Sequence, residues 1–118
     1  MGKSIRYVIR GVKGRVRQNF NWGLIKSTIA VVHITAGEVK PGAHHLVFNE
    51  EGNEVSQDFM YWLGEADIWV SNISPHQNDH FNGEPGGVEF ILHVDWDSPL
   101  DVGITITVED DAPLEIQN

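Results

Sequence analysis

Apolar and polar residues alternate most regularly between positions 88 and 109. Val88, Phe90, Leu92, Val94 and Trp96 share one parity, with Glu89, Ile91, His93 and Asp95 between them. A period of two marks a half-buried strand, because successive side chains leave the pleat on opposite faces. Asp97-Ser98-Pro99-Leu100 reads as a turn, where Pro removes a ladder donor and Asp and Ser bond to nearby backbone. Beyond it Val102, Ile104, Ile106 and Val108 alternate with Gly103, Thr105, Thr107 and Glu109. The two runs are expected to pair as a hairpin with one apolar face, and Trp96 is assigned to the core by its parity.

Further strands are predicted at 5–12, 28–35, 44–49, 55–63 and 66–71. Ile5, Tyr7 and Ile9 lie on the parity opposite Arg6 and Arg10. The 28–35 stretch is apolar on both parities, as in a strand covered on both faces. Glu50-Glu51-Gly52-Asn53 supplies Gly and Asn for a hairpin turn. Ser27 could cap a helix, but Thr28, Ile29, Val31 and Val32 are crowded with β-branching and show no 3.6-residue stripe. About seven short strands without crossover helices predict an all-β fold, an antiparallel β-sandwich, with a small β-barrel as the alternative. At 118 residues the chain has room for one domain, 1–118, with 110–118 as a C-terminal tail.

The absence of cysteine excludes disulfides, thiolate catalysis and zinc–thiolate sites. No apolar run matches a signal peptide or a transmembrane segment, so the expected location is cytoplasmic, with non-classical release as the alternative. The net charge of −9 is unevenly spread: Lys3, Arg6, Arg10, Lys13, Arg15 and Arg17 give the first 17 residues +6, and the remainder carries −15. Such a body repels phosphate backbones, and nucleic acid is not an expected partner. The basic strand is expected to pair with acidic strands of its own fold. A second use for it is contact with a neighbour's acidic edge in a homo-oligomer.

Two features carry candidate chemistry. Trp62 and Trp69 sit on parities that can form an aromatic platform for sugar rings or a lipid interface, and Trp22 lies in a polar-aromatic loop, Asn19-Phe20-Asn21-Trp22, able to join them. The 71–87 segment reads as a long loop, and loops of that length are often functional. Its Asn78, Asp79 and Asn82 offer ligand contacts, while His76, His80 and Glu84 form a donor set for zinc, nickel or manganese. His44 or His45 could add one more ligand, whereas His33 and His93 read as hydrogen-bonded structural residues.

No Gly-x-Ser-x-Gly elbow or phosphate loop is present. The reading therefore favours a non-catalytic, lectin-like module that recognises a glycan or small polar ligand without a cofactor. The alternatives are an oligomeric or membrane-lipid-binding, cytolysin-like protein, and a small enzyme using a divalent metal at the 76–84 loop.

Overall fold

The architecture comes from a computed structural model that describes residues 2–40, 45–48, 50–52, 54–77 and 86–117, with backbone alone for 45–48 and 54–58. Nine strands follow in order: β1 (Lys3–Val12), β2 (Gly14–Asn21), β3 (Val32–Val39), β4 (His45–Phe48), β5 (Glu54–Asp58), β6 (Tyr61–Trp62), β7 (Asp67–His76), β8 (Gly87–Asp95) and β9 (Leu100–Val108). One sheet has the order β1-β9-β3-β6, a second β2-β8-β7, and β4 and β5 form a separate hairpin. All pairings are antiparallel. The fold is an all-β sandwich, with no helix and no closed barrel among the described residues. Among the described residues no helix is long and apolar enough to cross a membrane.

The core lies between the four-stranded and three-stranded sheets. Val88, Phe90, Leu92 and Val94 of β8 and Val102, Ile104, Ile106 and Val108 of β9 are buried in one cluster. Ile5, Tyr7 and Ile9 of β1, Val16 and Phe20 of β2, and Ile68 and Val70 of β7 pack around it. Tyr7 stacks on Phe20 with ring centroids 5.0 Å apart, joining the two sheets near their β1/β2 side. Burial pushes the Tyr7 phenol up to about 12.

The chain passes from β1 to β2 across a corner. Gly11 (φ 65°) and Gly14 (φ 78°) take the left-handed backbone that this step requires and that side chains with a Cβ disfavour. The two strands therefore enter different sheets. The same holds for β8 and β9, which corrects the expected hairpin: β8 pairs with β2 and β7, and β9 with β1 and β3. Their apolar parities meet across the core and not along a shared ladder.

Other corrections concern boundaries. Trp96 is exposed, because β8 ends at Asp95 and the chain bends before Trp96 can follow the core parity. Asn19, Phe20 and Asn21 belong to β2 and not to a loop. The third strand runs Val32–Val39 and not 28–35; the Ser27 hydroxyl instead accepts from the Ile29 amide at 3.0 Å in the turn before it. His33 and Thr35 are exposed, so this strand is covered on its core face rather than on both. β7 continues through His76, which makes 72–76 strand and not loop.

The outer face of the four-stranded sheet carries a small cover. Phe59 lies buried over Gly103, where an added Cβ would overlap its ring, and the Tyr61 ring, partly open to solvent, lies over Gly37, where an added Cβ would also meet it. Arg6 sits 4.4 Å from the Phe59 ring centroid and donates to the Phe59 carbonyl at 3.1 Å. The Tyr61 hydroxyl is 2.8 Å from the Thr105 hydroxyl. Aromatic rings thus replace the side chains that two strand glycines lack.

Candidate ligand-binding face

The outer face of the three-stranded sheet is built differently. Its register sets side chains in rows across β7, β8 and β2: Asp67 opposite Asp95, Trp69 opposite His93 opposite Arg15, and Ser71 opposite Ile91 opposite Arg17. Rows stand about 7 Å apart along the strand and neighbours about 5 Å apart across it. The middle row is aromatic and cationic. The Trp69 indole stacks on the His93 imidazole with centroids 4.6 Å apart and planes 4° from parallel. His93 Nε2 lies 2.8 Å from the Ser71 hydroxyl, which holds the imidazole in place.

One face of the indole is therefore covered by imidazole, while 47% of Trp69 remains open to solvent. Acceptors flank it on one side at Asp67 and Asp95, two like charges set opposite each other at a cost to the sheet. Donors lie across the face at Arg15 and Arg17. Arg17 also bonds Glu89 at 2.7 Å, an ion pair between the basic N-terminal segment and β8. Lys13 instead donates to the Asp97 carbonyl at 2.7 Å, and Arg6 binds the Phe59 cover.

The three tryptophans singled out from the sequence do not share a face. Trp22 follows β2 at the other end of the sandwich, where its amide donates to Gly86 at 2.8 Å and its ring meets Phe20 edge-on at 6.3 Å. Asn21, just before it, opposes Gly87, six residues along β8 from His93, or about 20 Å. Trp62 is 44% exposed and opposes Glu38, so it shares the core-facing parity at the margin of the four-stranded sheet. Glu38 is buried, and its Oε2 has no hydrogen-bond partner among the described residues.

His76 ends β7 opposite Gly87, with Nε2 3.0 Å from the Asn19 side-chain oxygen and seven residues along the strand from Trp69. Asn78, Asp79, His80, Asn82, Glu84 and His44 lie outside the described residues, and for His45 only backbone is described. Among the described residues, no group of three His, Asp or Glu side chains stands in a metal-binding arrangement. Arg15 and Arg17 enter the sequence reading only as part of the basic segment, and neither they nor Ser71 are read there as ligand contacts. The alternation Arg15-Val16-Arg17 was the available signal, but it becomes meaningful only once β2 is recognised as a strand beside β8. Comparison with protein-family models, with curated proteins and with solved structures finds no match to this chain.

Proposed function

We propose that this protein is a non-catalytic binding module that recognises a glycan or similar polar ligand on the outer face of the three-stranded sheet. The observation supporting the reading is the half-exposed indole of Trp69, stacked on His93 and bordered by acceptors on one side and donors on the other. Flat aromatic surface complements the C–H face of a sugar ring, and adjacent donors and acceptors match its hydroxyls. A rigid β-sheet holds these groups without further ordering on binding, which limits the entropic cost of recognition.

The test is a panel of neutral, N-acetylated and acidic mono- and oligosaccharides titrated against the whole protein while tryptophan fluorescence is followed. A saturable shift is expected for at least one sugar class. Trp69→Ala should abolish the shift, and Trp22→Phe, at the opposite end of the fold, should keep it. A flat response to the whole panel, or a shift that persists in Trp69→Ala, overturns the reading.

A further inference from the structure

The sandwich leaves long strand edges without partners, and they are not equally protected. β7 is blunted by Asn72 in the left-handed conformation (φ 56°), by the register shift between Ser71 and Ser74, and by Pro75. β1 has no such device along most of its length. It pairs with β9 in unbroken register from Lys3 to Ile9, and its irregularity falls at the far tip near Gly11. Among the described residues no strand borders its other edge. That edge presents Ile5, Tyr7 and Ile9 at partial burial on the core side, and exposed Lys3 and Arg10. No described acid pairs with either cation.

The segment after β9 has the complementary pattern. The Glu109 amide donates to Val31 at 2.8 Å and the Ala112 amide to Ile29 at 3.1 Å, and there the tether ends. Leu114 and Ile116 are 84% and 77% exposed, two residues apart, with Glu115 between them and Asp110 and Asp111 upstream. Leu114-Glu115-Ile116 is apolar, acidic, apolar; Ile5-Arg6-Tyr7 is apolar, basic, apolar. Laid side by side as strands, the apolar residues would extend the core face and the acidic tail would lie along an edge that carries the exposed Lys3 and Arg10.

We propose that residues 114–116 of one copy add as a strand to the open edge of β1 in a second copy, giving head-to-tail assembly. The chain's own edge is out of reach. β9 leaves β1 at Val108 opposite Lys3, so residues 109 onward run past the start of β1 and would have to turn back to lie beside it. The slot lies two strand spacings from β9, about 10 Å, and Leu114 is two residues beyond Ala112, a reach of about 7 Å. Pairing of β1 with β1 in a two-fold dimer would set lysine and arginine against their like. Main-chain bonds along a sheet edge supply the affinity in this mode of recognition, and alternate side chains supply the selection. Because the donor segment and the acceptor edge are different surfaces, the contact is heterologous, and it propagates wherever two copies do not exchange tails reciprocally or close a ring.

This interface is separate from the Trp69 face, so its test stands apart from the sugar titration. Light scattering of the full chain at low salt should give a mass that rises with concentration past the dimer. The mass should fall back toward 13.2 kDa in about 1 M salt, where the screening length is about 3 Å. The double variant Leu114→Ser/Ile116→Ser, in side chains that are 84% and 77% exposed in the monomer, should stay monomeric with an unchanged thermal midpoint. Lys3→Glu/Arg10→Glu should also stay monomeric. Mixed in equal amounts, the two variants should form a species of twice the monomer mass, because each retains the half that the other lacks. A wild-type monomer at every concentration in low salt overturns the proposal. So does association that survives the tail variant, or a mixture that stays monomeric.

Discussion

The two sheets share one core and differ on their outer faces. On the four-stranded sheet, Phe59 and Tyr61 lie over Gly103 and Gly37, so that face is partly an interior. On the three-stranded sheet, Trp69 and His93 stack in the open with charged residues around them. In the first, aromatic side chains meet glycine backbone, and Phe59 is buried there while Tyr61 keeps 38% of its surface. In the second, an aromatic meets a polar ring and keeps nearly half its surface. The same residue class is structural where the strand beneath it has no side chains, and available for contact where it has.

This difference should be visible in stability. Phe59→Ala removes the cover and leaves Gly103 exposed beneath it. A loss of about 3 kcal/mol is expected, at the low end for a buried phenylalanine because the ring is covered from one layer only, and chemical denaturation checks it. If the loss is under about 1 kcal/mol, the cover is not part of the interior.

Tyr7 offers an intermediate effect that belongs to neither outer face. Its phenol stays protonated in the folded state up to about 12, while the unfolded phenol ionises near 10. The folded state therefore holds its proton more tightly, and stability present below pH 10 is lost as pH rises toward 12. The full shift corresponds to about 2.7 kcal/mol, which solvent screening of a half-exposed group reduces to about 1 kcal/mol. Melting at pH 9 and pH 11.5 should show this loss in wild type and a smaller one in Tyr7→Phe.

Smallest of all is the exposed ion pair on the uncovered face. Arg17→Ala breaks the 2.7 Å contact with Glu89 and should cost no more than about 0.5 kcal/mol. A larger loss, measured by the same denaturation series, would mean that this face is ordered by charge and the contrast with the Phe59 side is weaker than drawn.

The fold was legible where both parities are strongly contrasted. Val88, Phe90, Leu92 and Val94, and then Val102, Ile104, Ile106 and Val108, are apolar at alternate positions, and those residues are the buried centre of the sandwich. Parity, however, says which side chains share a face and nothing about which strand lies alongside, so β8 and β9 read as a hairpin when they belong to opposite sheets. β2 escaped notice because Gln18 occupies a core-side position between Val16 and Phe20, tolerable on an edge strand but fatal to a simple apolar count. The Trp69–His93 stack depends on a register between strands 24 residues apart in sequence, and no local pattern encodes it. The use of Gly37 and Gly103 as seats for aromatic rings emerges only in three dimensions.

The corner at Gly11 and Gly14 also sets the order in which this protein can assemble. It sends β1 to β9 and β2 to β8, so Ser4 meets Thr107 across 103 positions of chain. Contacts this distant in sequence make folding slow, on the scale of milliseconds to seconds. During synthesis the delay is longer still: at about 5–20 residues per second, β1 waits on the order of 5–20 s for its partner strand to be made. Through that interval Ile5, Tyr7 and Ile9 are strand-forming and unpaired, the condition in which nascent chains aggregate. Arg6 among them, with Lys3 and Arg10 on either side, acts then as a gatekeeper, keeping neighbouring unfinished chains apart before any sheet exists to shelter them.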